Sequence, residues 1–285
     1  MTIQNECIEC IIAQSERVCE AIHADDALTQ QIVHFVETSL ENADFTLSPP
    51  VLAAPLYEQM AIFANKIDLY DEEKKHATEQ AKEYAPFLRQ KIEQSDDPLM
   101  TLLKTAVVGN VIDLAAEVTF DLQEAIMSVF NMPFSGGDSD ILRKKLATAK
   151  TLLYIGDNTG EHIFDALAIE HLKKLYPYLK ITYMVRGNFI INDVTMKEAY
   201  EANIDQLCTL MDSGVPTPGF VYDLASTEAQ HEFDTSDLII AKGMGNYECM
   251  TPTERANICF LLKIKCSVVS RSLGQEIGSI ICKIE

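Results

Sequence analysis

The chain has 285 residues, 47% hydrophobic and 23% charged, which excludes wholesale disorder and suits one large α/β domain or a core domain with an appendage. With 23 Lys+Arg against 43 Asp+Glu, the formal charge is −20. A surface that acidic repels phosphate backbones and anionic lipid, so neither nucleic acid nor a membrane is an expected partner.

The opening stretch MTIQNECIECIIAQSERV lacks a basic leader, and Glu6 and Glu9 interrupt its apolar part, unlike a signal peptide. Apolar runs such as 258–262 fall far short of a bilayer span. Eight cysteines are too few for a disulfide scaffold. A soluble, cytoplasmic protein is expected, its cysteines serving as thiols, buried filler or metal ligands.

The first half reads as helical. Residues 7–21 form a mixed stretch without Gly or Pro, and residues 27–42 carry Leu28, Ile32, Phe35, Val36 and Leu40 at helical spacing. Ser48-Pro49-Pro50 breaks the pattern, and residues 55–66 resume it. Residues 71–94 predict a solvated helix interrupted near Pro86. Asp97-Pro98 is a helix start, and residues 99–130 predict one or two helices broken around Gly109-Asn110.

The period then changes. Residues 151–155 predict a strand that ends in the turn-rich Gly156-Asp157-Asn158-Thr159-Gly160. A helix is expected over 161–176, a strand over 181–185, a short helix over 195–202 and a strand over 237–241. Further strands are expected at 259–263, 267–270 and 278–282. Strands alternating with helices predict βαβ units and a largely parallel sheet. An all-helical region over 1–95 and an α/β domain over 96–285 are expected, with the sheet proper from about residue 150.

Ligands of an open parallel sheet bind beyond the carboxyl ends of its strands. Three predicted strand ends carry unusual polar residues: Asp157-Asn158, then Arg186-Gly187 leading to Asn192-Asp193, then Lys242-Gly243 with Asn246. Two carboxylates and an amide oxygen suit a hard divalent ion that keeps several waters, such as Mg²⁺ or Mn²⁺. A lysine and backbone amides of glycine-rich turns suit a phosphate. Together they describe a metal clamping a phosphoryl group, which would also let so acidic a protein bind an anion.

Each piece also has an ordinary use. Asp157 and Asn158 could be turn formers, Asp193 the N-cap of the next helix, Lys242 a surface lysine, and Glu161 a partner for a helix dipole. Cys7 and Cys10 form half of a zinc site. Cys266 could join them in space, or all three could be packing thiols.

The stretch Gly156-Asp157-Asn158-Thr159-Gly160-Glu161 with Phe164-Asp165 resembles the central motif of the DUF89 family, the ARMT1-like damage-control phosphatases. Residues 186–195 resemble its second motif, and DLIIAKGMGNYE at 237–248 its third. Asp97-Pro98 with Gly109-Asn110-Val111-Ile112-Asp113 resembles an upstream segment. Cys7-Ile8-Glu9-Cys10 resembles the N-terminal Cys-x-x-Cys of the smaller prokaryotic branch. The resemblance spans nearly the whole chain, in order.

It implies a Rossmann-like three-layer α/β/α domain with helical additions. It also implies a metal-dependent phosphatase acting on small phosphate esters, such as sugar phosphates or damaged phosphometabolites. Its metal ligands carry over to Asp157, Asn158 and Asp193, and its phosphate-contacting lysine to Lys242. Asn110, Glu161, Arg186, Gly243 and Asn246 are the further expected substrate-side residues. The ion would be Mg²⁺, Mn²⁺, Co²⁺ or Ni²⁺. Phe189 stands where the family often has Pro, and Met244 where it often has Gln, which bears on substrate preference.

Three other functions compete. An S-adenosylmethionine-dependent methyltransferase would want Gly-x-Gly-x-x-Gly after the first strand, which is absent, and would not need the Asp193 and Lys242 loops. A haloacid-dehalogenase-type phosphatase would use Asp138-x-Asp140, for which no preceding strand is expected. A protein that binds metal and phosphate without turnover would share every site residue.

Overall fold

The computed structural model describes residues 1–111, 122–253 and 255–285, and their side chains except those of 110, 111, 122, 123 and 125. Helices α1 (Asn5–Ala21), α2 (Asp26–Leu40) and α3 (Pro49–Ala64) open the chain, followed by α4 (Asp71–Glu93), α5 (Pro98–Val111) and α6 (Leu122–Asn131). The rest alternates: β1 (Phe134–Ser135), α7 (Ser139–Leu146), β2 (Thr151–Ile155), α8 (Glu161–Leu175), β3 (Lys180–Val185), α9 (Met196–Glu201), β4 (Thr209–Asp212), α10 (Thr227–Thr235), β5 (Leu238–Lys242), α11 (Gly243–Met250), β6 (Ile258–Lys263), α12 (Ser267–Leu273) and β7 (Ile280–Ile284).

The seven strands order as β1-β7-β6-β5-β2-β3-β4. All pairs are parallel except β6 with β7. Successive residues of a strand face opposite sides, and here both sides are buried. Leu152, Tyr154, Tyr183, Leu238 and Ile240 pack under α5 and α8, whereas Leu153, Ile155, Met184, Ile239 and Ala241 pack under α10, α11 and α12. This is a three-layer α/β/α arrangement with a mainly parallel sheet, as expected. Helices α1–α3 build their own apolar core around Val18, Ile32, Val36 and Met60, joined to the rest through Ile190 and Val268. Helix α4 packs instead on the sheet's helices through Ala81, Leu88 and Ile92. Among the described residues, no helix is long and apolar enough to cross a membrane.

Several local expectations change. Pro49 and Pro50 start α3 rather than breaking a helix, since the first turn has no donor to lose there. Pro86 does not interrupt α4. The lost backbone bond costs about 3 kcal/mol, and burial of Leu88 and Ile92 offsets it. Residues 267–270 form the start of helix α12, not a strand, with the Cys266 thiol capping Val269 N. A short apolar run does not reveal its period. Strands β1 and β4 and helices α7, α10 and α11 have no counterpart among the predicted elements. A strand does precede Asp138, namely β1, but Asp138 accepts a hydrogen bond from Ile284 N at 2.9 Å at the sheet edge, remote from the β2–β5 junction.

His162, in the first turn of α8, is 1% exposed, and its Nδ1 accepts the Gly160 N–H at 2.9 Å. Burial pushes its pKa down to about 4. The unfolded chain therefore takes up a proton below its ordinary pKa of about 6.5 that the native state refuses. Stability is expected to fall as pH drops from about 6.5 to 4, by up to about 3 kcal/mol from this residue. Urea midpoints at pH 7 and pH 5 check it: His162→Gln should show a shallower pH slope than the parent, and an identical slope would refute the assignment.

Candidate active site

The strand order reverses between β2 and β5, so their carboxyl ends open a crevice. Into it run the loops that follow β2, β3 and β5. Backbone hydrogen bonds lace the first two together: Gly156 N to Met184 O at 3.0 Å, Val194 N to Asp157 O at 2.9 Å and Thr159 N to Asn192 O at 2.8 Å, while Arg186 N to Val194 O at 3.0 Å closes the second loop on itself. Asn158 and Asp193 form an isolated antiparallel bridge. Residues 35 apart in sequence thus become neighbours.

Asp157 is 8% exposed and Asp193 3%. Arg186, fully buried, donates from Nε to Asp193 Oδ2 at 2.8 Å and brings Nη2 within 3.8 Å of Asp157 Oδ1. Burial, and for Asp157 the neighbouring Asp193, pushes both carboxyls up to about 6 against the pull of Arg186. Asn158 Nδ2 donates to Asp157 Oδ2 at 3.2 Å and Glu161 Oε1 at 3.0 Å, so Oδ1 is the amide atom that could coordinate a cation. Gly243 has φ +76, and a Cβ there would lie 1.9 Å from Asp157 Oδ2, so only glycine lets β5 turn into α11 against that carboxylate.

A second charged group lies behind. Lys242 Nζ donates to Glu161 Oε2 at 3.2 Å and Asp165 Oδ1 at 2.9 Å, all three residues being buried. Asp165 also accepts the hydroxyls of Tyr154 at 2.6 Å and Tyr183 at 3.0 Å. Burial pushes Glu161 up to about 7, although Lys242 opposes it. Burial works against the Lys242 ammonium, but Asp165 and Glu161 outweigh it and raise its pKa. Lys242 is therefore no surface lysine. Asp193 is not the helix cap either: Thr195 caps α9 in a capping box with Glu198. Asn246 donates to Gly156 O at 3.1 Å and Lys242 O at 2.6 Å and accepts from Phe220 N at 2.8 Å, so it ties strand ends together. Gly109 on α5 meets the same group from the other side, since a Cβ there would lie 2.8 Å from Glu161 Cα. The side chain of Asn110 and residues Ile112 and Asp113 lie outside the described residues.

A cavity of about 270 Å³ opens over Asp157, Asn158 and Asp193. Its far wall comes from α1 through Glu6, Cys7, Cys10 and Gln14, and from the β6–α12 junction through Lys265 and Cys266. Lys265 was not legible as a site residue, because it sits in no strand-end motif, whereas Glu248 ends the third motif without being one of the expected site residues. A larger cavity, about 910 Å³, lies between α3 and the 187–191 loop and includes neither Asp157 nor Asp193.

Among the described residues, no three His, Cys, Asp or Glu side chains converge to hold an ion. The three thiols thus line the cavity without forming a metal cage, and burial pushes Cys7 and Cys10 upward, toward the thiol form. The donors that fit a cation are Asp157, Asp193 and the Asn158 amide. Such an all-oxygen set would leave coordination positions to water and substrate, as Mg²⁺ and Mn²⁺ sites do. A divalent ion would also relieve the repulsion between the two buried carboxylates.

Fold and site together define a doubly wound α/β protein with an acidic oxygen-donor site at the switch point of its sheet. Within that class, the chain belongs to the damage-control phosphatase ARMT1-like family, whose domain model matches residues 3–281. It is 28% identical over 284 residues to a damage-control phosphatase of Pyrococcus horikoshii, covering 99% of this chain and 98% of that protein. It is 29% identical over 290 residues to a damage-control phosphatase of Archaeoglobus fulgidus, covering 100% and 99%. A crystal structure of a DUF89 family protein from Pyrococcus horikoshii is similar throughout, with TM-score 0.92 at 28% identity, covering 100% of this chain and 99% of that one.

Proposed function

We propose that this protein is a divalent-metal-dependent phosphatase of small phosphate esters, with Asp157, Asn158 and Asp193 as the metal ligands. The observation that carries the reading is the Asp157–Asp193 pair, buried around Arg186 and bridged through Asn158 at the β2–β5 switch point. The relatives named damage-control phosphatases support phosphatase activity in general.

A bound ion would supply charge neutralisation for the phosphoryl oxygens. The chain's own residues do the rest. Arg186 holds Asp193 in place through Nε, and its Nη2 lies 3.8 Å from Asp157 Oδ1, so one guanidinium spans both carboxylates. Gly243, lacking a Cβ, leaves the room that the Asp157 carboxylate occupies beside the β5–α11 turn. Lys242 draws Glu161 toward its ionised form against the effect of burial, and Glu161 accepts a hydrogen bond from the Asn158 amide. The cavity, closed on one side by α1, limits water around the reacting phosphate.

The test is phosphate release from sugar phosphates and p-nitrophenyl phosphate by metal-stripped protein, with Mg²⁺, Mn²⁺, Co²⁺ or Ni²⁺ restored one at a time. Release that requires the ion and is lost in Asp193→Ala is expected. Tight ion binding without release from any ester would favour a non-catalytic binding protein.

A further inference from the structure

The turn that delivers Asp193 to the site also carries Ile191. Asp193 N donates to Ile190 O at 3.1 Å and closes the turn, and Thr159 N donates to Asn192 O at 2.8 Å and ties it to the loop after β2. Within it, Ile191 has φ +45. That left-handed region is ordinarily left to glycine, and a β-branched residue there is an outlier. The backbone of the turn therefore gives no reason for an isoleucine, whereas the space around the side chain does.

Ile191 is half-buried and packs on the apolar core of α1–α3. It lines the cavity of about 270 Å³ over Asp157 and also the cavity of about 910 Å³ between α3 and the 187–191 loop. Among the described residues, it is the one that the two linings share. Helix α3 runs past both, with Pro50 and Ala53 on the smaller cavity and Val51 and Ala54 on the larger. A hydrogen bond also crosses the divide, from the Tyr57 hydroxyl on the larger cavity to Gln14 Oε1 on the smaller, at 2.8 Å. Ligand pockets usually span roughly 300–1,000 Å³. The smaller cavity falls below that range and the larger lies near its top. Which phosphate esters fit beside Asp157 thus depends on whether the two spaces are joined.

Resting on the phosphatase reading above, we propose that Ile191 is the specificity-determining residue of this site. Its side chain is the partition between the two cavities and restricts the site to phosphate esters of compact alcohols. Esters with a long apolar tail are excluded, because the tail could be housed only in the space beyond Ile191. The strained turn holds the partition up beside Asp193, so the residue that positions the wall is two positions from a proposed metal ligand.

Full-length parent, Ile191→Val, Ile191→Ala and Ile191→Gly test the assignment by two readouts. The first is calorimetric binding of ethylphosphonate and of phenylhexylphosphonate to Mn²⁺-loaded protein, which needs no turnover. The second is phosphate release from ethyl phosphate and phenylhexyl phosphate. In Ile191→Ala and Ile191→Gly, the preference for the long compound over the short one should rise by about tenfold or more in both binding and kcat/KM. Ile191→Val, which keeps a branched wall, should stay close to the parent. An unchanged preference in both trimmed variants would overturn the proposal while a hydrolysing parent left the phosphatase reading intact. A Mn²⁺-loaded parent that binds neither phosphonate would overturn it as well. The expected shift in binding without release from any ester would support the partition and sink only the phosphatase reading.

Discussion

Asp157→Asn should abolish phosphate release and, at the same time, make the metal-free protein more stable. Both effects follow from one arrangement. Asp157 lies buried beside Asp193, and burial with that like charge pushes its carboxyl up to about 6. At pH 8 the ionised side chain therefore opposes folding. Asparagine keeps the shape that Gly243 and Asn158 pack against and removes the charge. A gain of about 1–3 kcal/mol is expected, or roughly 2–6 °C in melting temperature for a chain of this size. The same substitution removes an anionic ligand from the proposed metal site. Phosphate release should fall by about 10³-fold or more in kcat/KM, equivalent to about 4 kcal/mol of transition-state stabilisation. Thermal unfolding of metal-stripped protein, beside the ester assay, checks both. A lower melting temperature would show that Arg186 and Lys242 compensate the charge fully. Retained activity would remove Asp157 from the site.

Lys242→Met should act in the opposite sense, with a large loss of stability. The ammonium is the shared partner of two buried carboxylates, Glu161 and Asp165. Removing one member of a buried charged group leaves the others uncompensated, at a cost of about 3–5 kcal/mol. Asp165 keeps the Tyr154 and Tyr183 hydroxyls, but Glu161 loses its ammonium partner. A second change, Glu161→Gln, should restore part of the stability, because the two residues interact directly and their effects are not additive. Urea denaturation of the parent, both single variants and the double variant measures that coupling. Purely additive losses would mean that Lys242 does not hold Glu161 electrostatically.

The α/β character was legible because its signals are local. Residues 151–155, 181–185 and 237–241 are apolar runs ended by turn residues, and each matches a strand to within a residue or two. The short edge strand β4 was not legible. Its four residues, Thr209–Asp212, are only half-buried or exposed, so they carry no continuous apolar run. Helix α11 was hidden because it opens with Gly-Met-Gly, which reads as a loop until packing against β5 and β6 is known. The 267–270 run looked like a strand because Val268 and Val269 are β-branched, whereas their burial against different neighbours makes them a helix.

What the amino-acid sequence determined by itself was the run β2-α8-β3-α9 and strand β5, the parallel α/β class and the three polar strand ends, since each depends on neighbours a few residues apart. What the tertiary structure alone decided was which of those polar groups meet. The loop after β2 pairs with the loop after β3, so Asn158 bridges to Asp193 and the carboxylates converge on Arg186. The exit of β5 beneath α8 buries Lys242 between Glu161 and Asp165, and that of β6 sets Lys265 on the cavity wall. Strand order and burial set these meetings, and both arise from contacts between residues tens of positions apart.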